Sequence, residues 1–363
     1  MIAADVQEIG LANYARQQAI ARRAAARVRQ LWRQIDRGDI SGSWQELAPY
    51  LIDAVSEAQA RAAALADPYL DAVLAAEGAD AASAGRVVPG ALAGIASDGR
   101  PLLSLLYQPV IDWKVRMLAG QSMEDAFRGS LASALRITGT QVADAGRGAT
   151  GAAMAGRRTI QGYVRVVQPP ACGRCVILAG KEFGWNKGFQ RHPRCDCIHL
   201  PTTLIARNQG RGRGRIGSDR FTPTTRPGSG TPGFIDPRAY FNSLSLAEQN
   251  RVFGEAGARA IRQGADLAQI VNARRGMTLM SAYGRRVRAT TEGTTRRGAF
   301  YRAERARTEA RTGTRFARDR IEARQGLPRF DLRTPRLMPE EIYRLAESRD
   351  EAVRLLRRFG YLQ

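Results

Sequence analysis

All four cysteines and both histidines of this 363-residue chain lie between Cys172 and His199. They run Cys172-x2-Cys175, sixteen intervening residues, then His192-Pro193-Arg194-Cys195-Asp196-Cys197-Ile198-His199. A Cys-x2-Cys pair followed at about 20 residues by a second cysteine pair is the spacing of a metal knuckle, most often zinc. The second pair here is Cys-x-Cys, a tighter chelate. Tetrahedral zinc needs four ligands. Cys172 and Cys175 supply the first chelate, and His192, Cys195 and Cys197 compete for the other two places. Arg174, Arg191 and Arg194 would offset the charge of bound thiolates and favour their formation. A segment this small cannot build a core from apolar area alone, so the expected zinc is a structural staple. Unmetallated thiols in a small core, and disulfides, are the rival readings. Disulfides need an oxidising compartment, and the opening residues MIAADVQEIG lack the basic start of a secretory signal. A catalytic zinc would need an open position and a base, for which Glu182 and Asp196 are the segment's carboxylates.

Charge divides the chain. The formal net charge is +22, yet residues 1–150 carry 15 basic and 16 acidic residues, a net of −1. Residues 151–200 carry a net of +6, and residues 201–363 a net of +17 from 33 basic and 16 acidic residues. Only three basic residues are lysines, which reflects codon bias more than guanidinium chemistry, but codon bias creates no net charge. A neutral front and a strongly basic back point to a polyanion near the back half, with double-stranded DNA the leading candidate. Arg211, Arg213 and Arg215, set among glycines, are the residues chosen for phosphate contact. No apolar run is long enough to span a membrane.

The periodicity predicts a helix over 8–38, with Val28, Leu31, Trp32 and Ile35 as an apolar stripe available for protein docking, though a bundle core is the commoner fate of such a stripe. Further helices are expected at 44–65, 68–76 and 102–119, the last interrupted near Pro109. Trp44, Tyr107 and Trp113 read as core. Ser122-x2-Asp125 opens a helix running to about residue 155, weakened by Gly139 and Gly146. Residues 163–167 are β-prone, and 180–189 read as a turn-rich hairpin carrying Phe183, Trp185 and Phe189. Residues 207–234 are linker-like. Beyond them a Ser245–Glu248 capping box opens a helix stopped by Gly264, and Asp266 caps another reaching Arg275. Residues 285–336, with sixteen arginines against six acids, read as extended or partly disordered. A single helix from Pro339 to Gly360 follows. The expected class is α+β, mainly α. Four regions are expected: a helical 1–120, a core with the Cys/His hairpin module at 121–205, a basic linker at 206–235 and a basic helical tail at 236–363.

A Ser-His-Asp hydrolase would have to draw its base from His192 or His199, both explained by the neighbouring cysteines. A Ser-Lys pair from Ser104 and Lys114 is the remaining protease possibility. No catalytic residue is assigned.

The stretch QPPACGRCVILAGKEFGWNKGFQRHPRCDCIHLP, with the Ser122 helix and the 163–167 strand upstream, resembles the Mu F-like minor capsid, or head-morphogenesis, family of tailed phages in its actinophage form. Segments at 234–266, 289–302 and 336–363 resemble the same proteins. The resemblance implies a minor virion protein, made in the host cytoplasm and sited in the capsid interior. It implies association with portal protein, with scaffold or major capsid protein, and with packaged DNA. The sequence carries no fused enzyme motif, and no enzyme activity is expected. A capsid maturation protease and a zinc-containing, non-specific nucleic-acid-binding protein are the alternatives.

Overall fold

The computed structural model describes residues 4–186, 197–203, 236–282, 284–296 and 298–362. The chain is α+β and mainly helical, with two three-stranded antiparallel sheets among the described residues. It divides into two compact units, the first of residues 1–170 and 178–234, the second of residues 171–177 and 235–363.

The first unit is built on long helices: α1 (Ala4–Trp32), α2 (Ile40–Ala64), α3 (Ala66–Ala76), α4 (Leu102–Leu106), α5 (Gln108–Leu118) and α6 (Met123–Ala155). The helix expected to reach residue 38 ends at Trp32. Asp36 accepts from Gly38 N at 2.8 Å, and Asp39 then caps α2 by accepting from Gly42 N. These short polar side chains compete for backbone amides and make a turn where the apolar pattern alone suggests continuity. The stripe of Val28, Leu31, Trp32 and Ile35 is buried, packed with Trp44, Leu51, Trp113 and Phe127 in one core. It is bundle interior, so it offers no docking face. Trp44 and Trp113 are buried as expected, and half-buried Tyr107 sets its ring edge-on to Trp44 at 4.8 Å. The interruption near Pro109 is the boundary between α4 and α5.

Helix α6 starts where expected, with the Ser122 hydroxyl accepting from Asp125 N. It runs through both glycines unbroken. Gly146 is a close-approach point: a Cβ there would come 2.5 Å from the Gln17 side chain, which donates to Ala62 O. The bare backbone lets α1 lie against α6, so this glycine serves packing.

A second core in the same unit joins helices to a sheet. Val6, Tyr69, Leu70, Leu74, Ala149 and Met154 pack with Tyr163, Val164, Val166, Ile198 and Leu200. The sheet order is β2 (Glu182–Gly184), β1 (Gly162–Val167), β3 (Cys197–Thr202), all antiparallel, and every β1 residue is buried. The Tyr69 hydroxyl donates to His199 O, and Glu77 accepts from Thr203 N and Thr202 Oγ1, tying β3 to α3. The expected hairpin is present as far as β2, where Phe183 stacks on Tyr163 at 5.3 Å. Its remainder, with Phe189, lies outside the described residues.

The second unit begins with a seven-residue insertion holding α7 (Gly173–Val176). It continues as α8 (Pro237–Ser243), α9 (Leu246–Phe253), α10 (Glu255–Arg262), α11 (Leu267–Arg275), β4 (Met277–Ala282), β5 (Arg285–Thr290), α12 (Ala299–Thr312), α13 (Arg320–Arg324), β6 (Arg336–Leu337), α14 (Pro339–Leu345) and α15 (Arg349–Arg358). The Ser245 capping box and the Asp266 cap form as expected. Three expectations change. The helix from Ser245 to Gly264 is two helices, broken at Gly254 with φ +76°. The terminal helix is also two, because Ser348 accepts from Glu351 N and starts α15 afresh. Residues 285–336 combine strand and helix: they give β5, α12, α13 and the start of β6, anchored by buried Val287, Phe300 and Tyr301. Few apolar residues suffice because arginine and the backbone do part of the joining. Arg336, 2 % exposed, donates to Phe359 O, Glu292 O and Gln269 Oε1 at 2.8–3.0 Å, and its guanidinium lies over the Tyr361 ring.

Candidate functional site: the cysteine turn and the basic unit

The first cysteine pair forms a compact turn. Cys172 is the N-cap of α7, its sulfur accepting from Cys175 N at 3.4 Å, so both thiols sit on one turn of backbone. Cys175 is buried and Cys172 partly so. The turn is held within the second unit. Ala171 N donates to the Tyr240 hydroxyl, which donates back to Ala171 O. Phe253 lies close enough to Gly173 that a Cβ would meet its ring at 3.1 Å. The Arg174 guanidinium donates to Asn272 Oδ1 at 2.7 Å, so this arginine is occupied in positioning the turn.

Cys197 opens β3 in the first unit, paired in register with Val167, and its carbonyl accepts from Arg147 Nε at 3.1 Å. His199 stands opposite Arg165, with its ring 4.2 Å from that of Tyr163. His192 and Cys195 lie outside the described residues, as do Arg191, Arg194 and the linker arginines Arg211, Arg213 and Arg215. Among the described residues no group of three or more metal-ligating side chains comes together. The Cys172–Cys175 turn has the donor chemistry and the tight spacing of one half of a thiolate site.

Ser104 and Lys114 are both exposed and bonded to different partners: the Ser104 hydroxyl to Pro101 O, and Lys114 Nζ to the Tyr107 hydroxyl. No helix among the described residues is long and apolar enough to cross a membrane.

One buried arginine in each unit is satisfied differently. In the first, Arg157 is fully buried between Asp67 at 2.8 Å and Asp71 at 2.6 Å. Burial works to raise the Asp71 carboxyl, but hydrogen bonds from Arg157 and Arg86 prevail and hold it below the usual carboxylate range. In the second, the buried guanidinium of Arg336 faces neutral oxygens, and burial pulls its own pKa down. Arg238 donates to Ile261 O and Ala265 O. The sequence reading missed Arg336 because nothing in its local pattern sets it apart from fifteen other arginines between 285 and 336.

A family model described as VG15 protein matches residues 5–210, more than half of the chain. The chain belongs to the VG15 family. VG15 is a phage protein family, and its span here takes in both cores of the first unit and the Cys172–Cys175 turn. No curated protein and no solved structure matches the chain.

Proposed function

We propose that this VG15 chain is a minor head protein of a tailed phage, of the Mu F-like head-morphogenesis type. In this reading its near-neutral helical part associates with portal, scaffold or major capsid protein, and its basic part meets packaged double-stranded DNA inside the capsid. The observation that carries the reading is the split of charge along a phage-family chain: a net of −1 over residues 1–150 and of +17 over residues 201–363. A neutral surface suits protein contact, and a diffuse cationic one suits backbone phosphates.

The docking face cannot be the buried 28–35 stripe. Helix α5 instead exposes Ile111, Val115 and Leu118, at helical spacing on one side, with Leu118 88 % exposed. This is the face assigned here to the capsid-side partner. Co-expression with portal, scaffold and major capsid protein, followed by purification of procapsids, tests it. The full chain is expected in procapsids, and Val115→Glu/Leu118→Glu is expected to reduce its incorporation several-fold while leaving it folded. Absence of the wild-type chain from procapsids would end the head-protein reading.

One zinc per chain, on Cys172, Cys175, Cys195 and either His192 or Cys197, belongs to the same proposal. It is supported by the sequence spacing and by the turn at Cys172–Cys175. The metal would contribute folding free energy directly. Elemental analysis should return one equivalent, with chelation lowering Tm, and purified protein without stoichiometric metal sinks it.

A further inference from the structure

We propose that a cleft between α12 and α15 is a binding site for a row of phosphate groups, and that its ligand is a nucleic-acid strand. The choice of strand rests on the DNA reading above; the phosphate site stands on the side chains themselves. The cleft has a volume of about 590 Å³. Arg307 and Arg311 of α12 form one wall, and Arg354, Arg357 and Arg358 of α15 the other. Glu304 is the one carboxylate among its lining residues.

That carboxylate is already engaged. Glu304 is buried and ion-paired with Arg307, which also donates to Arg358 O at 3.1 Å. The guanidiniums of Arg311, Arg354, Arg357 and Arg358 have no hydrogen-bond or ion-pair partner among the described residues; Arg358 alone has a neighbouring ring, Phe359 at 5.7 Å. Four unneutralised guanidiniums thus line a concave surface. On a convex face such charges are simply solvated; in a cleft with low-dielectric walls their fields add and attract anions. The fold tolerates this mutual repulsion, which an anion would relieve.

The donor geometry selects the anion. Guanidinium forks match phosphate oxygens bidentately. Arg307 and Arg311 are one turn apart, as are Arg354 and Arg358, which spaces each pair by roughly 6 Å along its helix. Two such rows suit successive phosphates better than a single ion. The lining is arginine, threonine and one glutamate, without the Asn or Gln that reads adenine edges, so recognition is of the backbone and not of sequence.

The test uses the full chain, a short labelled DNA duplex, and inorganic tripolyphosphate. The cleft variant is Arg311→Ala/Arg354→Ala/Arg357→Ala. These side chains have no hydrogen-bond or ion-pair partners among the described residues, so its Tm should match the wild type or rise slightly. Duplex affinity at low salt should fall at least tenfold, and the log–log salt slope should shrink by roughly 2–3 for three lost phosphate contacts. The matching lysine variant, which keeps charge but loses the fork, should fall between. Equal affinity and equal slope for wild type and cleft variant overturn the site and leave the DNA reading of the linker intact. Cleft-dependent binding of tripolyphosphate with no duplex binding by the wild type overturns the strand as ligand, and with it the DNA reading, while retaining the phosphate site. Binding of neither ligand by the wild type overturns both.

Discussion

Two buried arginines, one in each unit, are satisfied in opposite ways. In the first, Arg157 faces Asp67 and Asp71, so its buried charge is cancelled on the spot. In the second, Arg336 faces backbone carbonyls and an amide, which satisfy hydrogen bonds without adding negative charge. The consequence is electrostatic. A guanidinium faced by carboxylates is neutralised where it is buried, whereas one faced by carbonyls keeps its charge there.

The strongest challenge to this contrast is Arg157→Ala. It strands Asp67, which is largely buried, and should cost about 3–5 kcal/mol in chemical denaturation. A double variant that also replaces Asp67 with Asn should recover part of the loss. A cost under about 1 kcal/mol would show that the network is as weak as an exposed pair. Next comes Arg336→Ala. Losing a guanidinium that serves three carbonyls and Gln269 should cost about 2–3 kcal/mol. No acid is stranded here, so there should be no partner substitution that rescues it; rescue by removing any nearby carboxylate would collapse the distinction between the two arginines.

The same helix supplies a pair of opposite sign. Gly146→Ala must displace Gln17 and should destabilise by about 1–2 kcal/mol. Gly139→Ala meets nothing within 4 Å and should stabilise by about 0.5–1 kcal/mol. Equal effects at the two positions would remove the close-approach role given to Gly146.

The last effect concerns alkaline pH. Burial raises the Tyr343 hydroxyl to about 12, against the opposing pull of Arg259 and Arg262, and it donates to Gln263 Oε1. A raised folded pKa means that stability is complete below the unfolded value near 10 and is lost as pH climbs towards 12. Tyr343→Phe should flatten that part of the stability–pH curve, and an unchanged slope would place the alkaline loss on other tyrosines.

Legibility in the sequence followed locality. The Ser122, Ser245 and Asp266 caps were readable because an N-cap and the amide that donates to it lie three residues apart. Ser348 carries the same Ser-x2-Glu signature with Glu351, but a continuous apolar pattern across it masked the break. Whether the Val28–Ile35 stripe faces inward was not readable, since period gives a face and not its neighbour. The order in 285–336 depends on Arg336 reaching Glu292, Gln269 and Phe359, contacts 23 to 67 residues distant. The cleft has the same character: α12 and α15 each look like an ordinary solvated basic face until they are brought together. The cysteine turn was legible from spacing, while the tyrosine and phenylalanine that hold it are supplied from Tyr240 and Phe253.

That last arrangement bears on how such a protein can change. Residues 171–177 lie inside the VG15 span yet are packed by side chains from beyond it. A gene fusion or crossover placed in the linker would therefore not exchange tails cleanly. Any replacement tail would have to bring its own equivalents of Tyr240, Phe253 and Asn272, or leave the Cys172–Cys175 turn without support. The segment acts as a molecular ratchet on recombination: the two parts of the chain can diverge in surface and charge, but they must be inherited together.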